Sequence, residues 1–214
     1  MPRTLTLRES TLLAAKHKLP LTPTYFAKSE KELLEQARKL HPPWVLKVSS
    51  SEAVHKTEKG LVETGINSLQ ELEIVAKHMR AKLKGMSWDA MVLQEQRRGA
   101  EMLVGAVRDP SFGPAIAFGS GGMLVELFQD VSWRVAPLTP KDAEEMILET
   151  KAAAFTKLGG FRGKRASLNS LVNLLVKTSR LMEKNRQIVE LDFNPIITDA
   201  KHAHIVDARI VLEK

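Results

Sequence analysis

Three Ser/Thr-x-x-Glu sequences, each placed just before an apolar run, constrain the fold of this chain more than any other feature. They begin at Thr6, Ser29 and Ser68. At a helix N-terminus the hydroxyl accepts a hydrogen bond from the backbone N–H three residues on, and the glutamate reaches back to the chain before the helix. Because apolar residues then recur at helical spacing, each sequence predicts the start of a helix.

The first half of the chain alternates these helices with short strands. Pro20 and Pro23 are expected to end the first helix, predicted over residues 6–19. Residues 20–96 then predict the order strand, helix, strand, strand, helix, strand, which is a split α/β lobe rather than a uniform doubly wound one. The strand candidates, apolar runs bounded by Gly, Pro or polar residues, are 25–27, 44–48, 61–66 and 90–94.

Residues 97–214 predict a second lobe of different character. Thr139 followed by Pro140 predicts a helix start, residues 168–182 predict a helix, and the Gly- and Arg-rich residues 157–166 predict a loop. Short strands punctuated by Gly, Pro and Asp predict an antiparallel sheet. The strand candidates are 102–107, 114–118, 124–128, 133–136, 188–193 and 203–206.

Composition excludes several classes of protein. The chain has no cysteine, which excludes disulfides, thiolate metal sites and cysteine nucleophiles. No apolar run approaches the roughly 20 residues that span a bilayer, and no secretory h-region is seen at the start, so we expect no membrane partner and a cytoplasmic setting. A net charge of +7 suits polyanionic partners. With only 5% aromatic residues and a dispersed charge, nucleic-acid binding is not expected.

A glycine-rich segment lies between two of the predicted strands: Phe118-Gly119-Ser120-Gly121-Gly122. Glycines leave backbone N–H groups free to approach a phosphate closely. The segment lacks the Lys-Ser/Thr of a P-loop, and a strand rather than a helix follows it, which excludes a dinucleotide-binding fingerprint. A glycine hairpin without a ligand is the alternative.

The sequence Glu190-Leu191-Asp192-Phe193-Asn194-Pro195 lies near the end of the chain. Residues two apart in a strand point to the same face, so Asp192 and Asn194 are expected to aim oxygens at one site, with Glu190 in line behind them. Such oxygen ligands suit Mg²⁺, and Asp207, expected on the next strand, would add a carboxylate. A charged strand end followed by an Asn-Pro turn is the alternative.

Three further positions have side chains suited to phosphoryl chemistry. His55, next to Lys56 in a polar loop, is a competent phosphoryl acceptor if the nearby lysines hold phosphate oxygens. Lys47 lies near the end of an apolar strand, and Arg134 lies within another. A guanidinium clamps a phosphate bidentately. The alternatives are a solvated histidine, a snorkelling lysine and an exposed strand arginine.

Seven segments, taken in order, resemble the ATP-grasp subunit of ADP-forming acyl-CoA synthetases, a relative of the succinyl-CoA synthetase beta subunit. The resemblance covers about residues 7–212. It implies the ATP-grasp fold, with two α/β lobes (20–96 and 97–214) and nucleotide held between them. The segments are VLKV (45–48), HKT (55–57), GAEMLVGAVRDPSFGP (99–114), FGSGGMLVE (118–126), SWRVAPL (132–138), ELDFNP (190–195) and VDARI (206–210).

The resemblance also implies roles for individual residues. His55 stands where the family carries a histidine that is phosphorylated in transit, and Arg134 would lie near the phosphates. ATP or ADP and Mg²⁺ are the implied cofactors, with Asp192, Asn194 and Asp207 as the metal ligands. The residues implied to bind the nucleotide are Lys47 and Lys56 at the phosphates, Gln94, Glu95 and Gln96 along the adenine, Glu101 at the nucleoside, and Gly119, Gly121 and Gly122 at the phosphates.

The implied function is the nucleotide-binding half of an acid–CoA ligase. A CoA-binding alpha subunit would form an acyl phosphate and take up its phosphoryl group, and His55 would pass that group to ADP. The family expectation is an α₂β₂ assembly, inactive without its alpha subunit. Two other functions stay open: a stand-alone ATP-grasp ligase that joins a carboxylate to an amine or thiol, and a non-enzymatic domain that senses adenine nucleotides.

Overall fold

The structure is a computed structural model that describes residues 2–50, 60–121 and 130–213. The chain forms two compact units: unit 1 is Met1–Leu5, Ser10–Leu21 and Arg98–Lys214, and unit 2 is Thr6–Glu9 and Thr22–Arg97. The helices are α1 (Leu7–Lys16), α2 (Glu30–Ala37), α3 (Leu69–Lys82), α4 (Pro140–Leu148), α5 (Ala153–Thr156) and α6 (Leu168–Lys184). The strands are β1 (Arg3–Thr4), β2 (Thr24–Ala27), β3 (Trp44–Ser49), β4 (Val62–Ile66), β5 (Ala90–Glu95), β6 (Ala100–Asp109), β7 (Gly113–Ser120), β8 (Val131–Val135), β9 (Ile188–Thr198), β10 (Ala203–Ile205) and β11 (Arg209–Leu212).

Unit 2 is an antiparallel sheet in the order β2–β5–β3–β4, with α2 and α3 packed on one face. Its core joins strand residues such as Leu46 and Leu93 to Leu33 and Leu72 of the helices. Both helices begin where the capping sequences predict. The Ser29 hydroxyl accepts from the N–H of Glu32 at 3.2 Å, and that of Ser68 accepts from Glu71 at 3.1 Å. The predicted strand and helix order of residues 20–96 is confirmed.

Helix α1 begins as predicted but ends earlier. Thr6 and Glu9 exchange hydrogen bonds, with Thr6 N–H donating to the Glu9 carboxylate at 2.8 Å and Glu9 N–H donating to the Thr6 hydroxyl at 3.2 Å. The prediction that prolines end the helix near residue 19 is wrong, because Lys18 adopts a left-handed conformation (φ 55°). The N–H of Leu19 then donates back to the carbonyl of Ala14 at 3.2 Å, which closes the helix end.

Unit 1 contains the predicted antiparallel sheet, in the order β1–β11–β9–β6–β7–β8, with β10 paired to the end of β9. Helices α4 and α6 cover one face, where Phe118 and Phe193 are fully buried among their apolar side chains. Two strands were not predicted: β1 and β11, of two and four residues, are too short to show a periodic pattern. The predicted strand 124–128 lies outside the described residues.

Strand β9 is longer than predicted. It continues through a cis Asn194–Pro195 peptide to Thr198 instead of ending at Phe193. Val104 of β6 lies opposite Phe193, whereas Met102 lies opposite Ile196, so β9 holds one extra residue at this point. A β-bulge of this kind re-aims the side chains beside it. No helix among the described residues is long and apolar enough to cross a membrane.

Candidate functional site

The strand register of unit 1 assigns the site residues to two faces of one sheet, because directly opposed residues on neighbouring strands share a face. Asp192 lies opposite Gly105, which lies opposite Ala117 and then Trp133. The next row lies on the other face, toward α4 and α6, and consists of Leu191, Ala106, Ile116 and Arg134. We call the face that carries Asp192, away from these helices, the outer face.

Asp192 is the most perturbed carboxyl group of the outer face. Burial raises its pKa to about 6, the guanidinium of Arg209 lowers it, and the carboxylates of Asp207 and Glu190 raise it. Arg209 lies directly opposite Asp192 in the β9–β11 pairing and forms an ion pair with Glu190. Negative charge is therefore concentrated at a partly buried point, and Arg209 partly balances it.

Asp207 and Asn194 are the other metal ligands that the sequence predicts. Asp207 lies between β10 and β11 rather than on a strand as predicted, and its Oδ1 accepts the N–H of Ala208 at 3.0 Å. Asn194 is exposed beside the bulge. Burial is the main cause of the raised pKa of Asp192 and the neighbouring carboxylates add to it, and a nearby cation favours the ionised form of such a group. Among the described residues no group of three or more His, Asp or Glu side chains is placed to hold a metal ion. Mg²⁺ usually takes only one or two carboxylates and completes its shell with phosphates and water.

Arg134 does not join this cluster. It lies on the helix-facing side of β8, where its guanidinium forms an ion pair with Glu149 at the end of α4. The Ser132 hydroxyl also donates to Glu149, at 2.7 Å. Hydrogen bonding to Glu149 raises the pKa of Arg134. The structure therefore gives Arg134 a partner that ties β8 to α4, away from the outer-face carboxylates.

The glycines of the predicted phosphate loop stand at crowded backbone positions. Gly119 belongs to β7 and not to a connecting loop, and a Cβ there would overlap the carbonyl oxygen of Asp130. A Cβ at Gly121 would lie 2.7 Å from the nitrogen of Met102. The N–H of Gly121 donates to the carbonyl of Glu101 at 2.8 Å. Close strand packing thus accounts for both glycines, and Gly122 lies outside the described residues.

Unit 2 carries a polar group on the sheet face opposite its helices. Lys47 and Gln94 are only 6% and 4% exposed, unusually low for residues of their kind. They belong to neighbouring strands, with Gln94 opposite Val45 and Lys47 opposite Val92. Gln94 donates to the hydroxyl of Thr24 at 2.8 Å.

Glu95 is the last residue of β5 and Gln96 follows it. Both form hydrogen bonds to other segments of unit 2. The Glu95 carboxylate accepts the N–H of His41 at 3.1 Å and pairs with Arg97 at 3.1 Å. The Gln96 side chain accepts the N–H of Gly65 at 2.9 Å, and its own N–H donates to the carbonyl of Pro43 at 2.8 Å. The segment is therefore a rigid edge.

Glu101, in unit 1, is exposed on the outer face. The predicted residues His55 and Lys56 lie outside the described residues. Arg209 is the member of the site that sequence reasoning missed, although VDARI contains it. The sequence shows only that Arg209 follows Asp207 by two residues. That spacing indicates a site residue only once β11 is known to pair with β9.

Comparison with known proteins identifies the family. The ATP-grasp domain family matches residues 2–212. The beta subunit of ADP-forming acetate–CoA ligase I of Pyrococcus furiosus is 35% identical over 200 residues, which are 91% of this chain and 85% of that subunit. ADP-forming acetate–CoA ligase II of Archaeoglobus fulgidus is 33% identical, but the chain spans only 30% of its length.

Solved structures of an acetyl-coenzyme A synthetase from Candidatus Korarchaeum cryptofilum agree. One, with coenzyme A and Ca-AMPCP, superposes with a TM-score of 0.92 at 36% identity, covering 99% of this chain and 94% of that one. Another, with coenzyme A and Mg-AMPPCP, has its phosphohistidine segment pointing towards the nucleotide-binding site and gives a TM-score of 0.85 at 34% identity, covering 98% and 93%. By fold and sequence, this chain belongs to the ATP-grasp family, in the group formed by the beta subunits of ADP-forming acetate–CoA ligases.

Proposed function

We propose that the chain is the nucleotide-binding subunit of an ADP-forming acyl-CoA synthetase, and that it transfers a phosphoryl group between a phosphohistidine and ADP. The observation that carries the proposal is the outer-face carboxylate cluster, in which burial first, and then the carboxylates of Asp207 and Glu190, raise the pKa of Asp192. In a family whose solved relative holds Mg-AMPPCP, such a cluster supports a magnesium–nucleotide site.

Three residues are proposed to hold the metal: Asp192, Asn194 and Asp207. Mg²⁺, when bound there, neutralises the charge of the transferred phosphoryl group, which is the main requirement of this chemistry. The role of Arg209 is to limit the repulsion at Asp192, since its guanidinium lowers the pKa of that carboxyl. Arg134, held by Glu149, is proposed to position β8 rather than to touch phosphate.

Several residues are proposed to hold the nucleotide. Lys47, which is 6% exposed on β3, is proposed to contact a phosphate. Gln94, Glu95 and Gln96 line the adenine with a rigid edge, and Glu101 contacts the nucleoside. Lys56 and Gly122 complete the proposed phosphate contacts, whereas strand packing accounts for Gly119 and Gly121, which the sequence also predicts there.

His55 is proposed to carry the phosphoryl group. A terminal oxygen of ADP forms the new P–O bond as the P–N bond of phosphorylated His55 breaks; with a proton on the other ring nitrogen of the phosphohistidine, the imidazole leaves in its neutral form. In the reverse direction ATP phosphorylates the imidazole. A metal and cationic side chains are needed because the oxygens of both reactants are negatively charged.

The partner is proposed to be a CoA-binding alpha subunit, in an α₂β₂ complex. The Pyrococcus relative is named as a beta subunit, and the Archaeoglobus relative is far longer than this chain. Acyl specificity is then a property of the alpha subunit, where the acyl phosphate forms.

Mixing the purified chain with the CoA-binding subunit of the same organism tests the proposal. ATP should form from acetyl-CoA, ADP and phosphate only when both proteins are present. His55→Gln should abolish ATP formation and the acid-labile phosphate label, while ADP affinity stays as in the wild-type chain. A complete ligase reaction by this chain alone would instead support a stand-alone ATP-grasp ligase and contradict the proposal.

A further inference from the structure

The loop between α5 and α6 exposes apolar and cationic side chains together. We call residues 157–165 the basic loop. Leu158 is 98% exposed and Phe161 is 47% exposed, although both are large apolar residues. Four cations of the loop, Lys157, Arg162, Lys164 and Arg165, are exposed, and none of them forms an ion pair within the described part of the chain. The magnesium and nucleotide residues proposed above do not include this loop.

Backbone contacts hold the basic loop in one conformation. Phe161 and Lys164 exchange N–H to carbonyl hydrogen bonds at 2.9 and 3.0 Å, and Gly160 N–H donates to Lys157 at 2.9 Å. Arg162 adopts a left-handed conformation (φ 48°), which is uncommon outside glycine. Such strain persists only where the surroundings impose it, and it concentrates at functional sites. The loop is thus preorganised, which lowers the entropic cost of binding.

A cavity of about 460 Å³ opens beside the basic loop. Ala154, Phe155 and Phe161 form its apolar walls. The two phenylalanine rings meet edge to face at a centroid distance of 5.7 Å. Lys151, Arg162, Ser120 and Asp130 supply the polar lining. The Asp130 carboxylate is committed to the Ser120 hydroxyl at 2.8 Å and to the N–H of Lys151 at 2.9 and 3.0 Å.

These features favour one class of occupant. A small anion would need convergent cations and would leave the exposure of Leu158 unexplained. A nucleic acid would need flat aromatic surfaces for stacking, whereas Arg162 covers the ring of Phe161 at 5.4 Å and Phe155 meets it edge to face. An acidic peptide segment with a bulky apolar side chain satisfies both the cavity and the surrounding positive charge.

We propose that the basic loop and its cavity form the docking surface for an acidic segment of the CoA-binding partner subunit. An apolar side chain of that segment enters the cavity, and its carboxylates pair with Arg162, Arg165 and their neighbours. The identity of the partner rests on the proposed function, while the chemistry of the segment rests on the loop.

The test measures the dissociation constant of the complex between the full chain and the CoA-binding subunit by isothermal titration calorimetry. Leu158→Ser removes one exposed apolar side chain and should weaken the complex about tenfold. Arg162→Glu with Arg165→Glu should weaken it by at least about tenfold at low salt, and by less at high salt because the charges are screened. Both variants should keep the wild-type melting temperature, since these side chains are exposed.

Matched controls lie on unit 2. Lys28→Glu with Lys31→Glu reverses two exposed lysines and changes the net charge equally, and Ile74→Ser removes an exposed apolar side chain. Both should leave the dissociation constant unchanged. Wild-type affinity in the loop variants, with an active mixture, would overturn the docking surface but not the proposed function. Loss of oligonucleotide binding alone in those variants would assign the loop to nucleic acid and overturn the docking surface.

The absence of any complex or ATP formation with the wild-type chain would overturn the proposed function and the identity of the partner together.

Discussion

Arg134 and Asp192 lie on opposite faces of one antiparallel sheet. Three strand pairings relate them, and each pairing keeps directly opposed residues on the same face. Asp192 therefore shares its face with Trp133, whereas Arg134 shares the helix-facing side with Leu191. A single phosphate group on the outer face cannot meet both side chains while the sheet is intact.

Substitutions at the two positions should separate metal binding from strand positioning. Asp192→Asn should weaken the binding of Mg-ADP by more than about tenfold, since even residues behind a metal ligand cost about that much when they are lost. Arg134→Gln should leave Mg-ADP affinity unchanged and lower only the melting temperature, because it breaks the pair with Glu149. Calorimetric titration of each variant with Mg-ADP measures both. Equal losses of affinity would contradict the assignment of Arg134.

The stability of the metal-free chain should fall as its carboxyl cluster ionises. The pKa of Asp192 is raised from 3.8 to about 6 in the folded chain, so the folded state holds this proton more tightly than the unfolded state. The associated stability is present at low pH and is lost as pH rises through about 4 to 6. At neutral pH the loss from this group is at most about 3 kcal/mol.

Urea unfolding in the presence of a chelator measures this effect at about pH 5 and about pH 7.5. The wild-type chain should lose more stability between the two values than Asp192→Asn, which has no proton to release at this position. Adding Mg²⁺ at the higher pH should restore stability to the wild-type chain and not to the variant. An identical pH dependence in the two proteins would show that Asp192 is not perturbed.

Gly119 should tolerate no side chain, for a reason of packing. Gly119→Ala places a methyl group against the carbonyl of Asp130, and the free energy of unfolding should fall by about 1–3 kcal/mol. Gly105→Ala is the matched control on the neighbouring strand, since its Cβ would lie at an ordinary 3.6 Å from that of Ala117. The control should change stability by less than about 1 kcal/mol. Equal effects would exclude crowding at Gly119 as the cause.

Arg108 should contribute more to the free energy of unfolding than an ordinary partly buried arginine. Its guanidinium donates to the carbonyls of Met182 at 2.5 Å, Ile188 at 3.0 Å and Asn185 at 3.2 Å. Arg108→Met leaves these acceptors at the end of α6 without their charged donor, and should cost about 2–3 kcal/mol. Arg180→Met, an exposed change on α6, should be nearly neutral. Urea unfolding compares the two variants.

The helix starts were predictable because a cap is a local feature. Thr6, Ser29, Ser68 and Thr139 each bond a backbone N–H within the next three residues, so short sequence windows contain the whole interaction. The end of α1 was not predictable in this way. It depends on a left-handed lysine, a conformation that sequence patterns assign to glycine or asparagine.

The site was predictable in its parts but not in its arrangement. Alternation along β9 places Glu190 and Asp192 on one face, as predicted, but a bulge between Phe193 and Ile196 interrupts the alternation that was expected to bring Asn194 to the same face. The separation of Arg134 from Asp192 depends on strand order and register, which non-local contacts decide. The same non-local packing explains why Gly119, which the sequence predicts in a phosphate-binding loop, lies within strand β7 in the structure. The roles of all the predicted site residues, including His55, Lys56 and Gly122, stay predictions.

Strands β1 and β11 pair antiparallel, with Arg3 opposite Leu212. The entry and exit of the chain therefore stand about 5 Å apart at one edge of the sheet. A host polypeptide can leave and re-enter at that edge without stretching across the domain, and a short linker can join the two ends so that new termini are opened elsewhere. Because its two ends lie side by side, the domain should tolerate insertion into a larger protein and circular permutation.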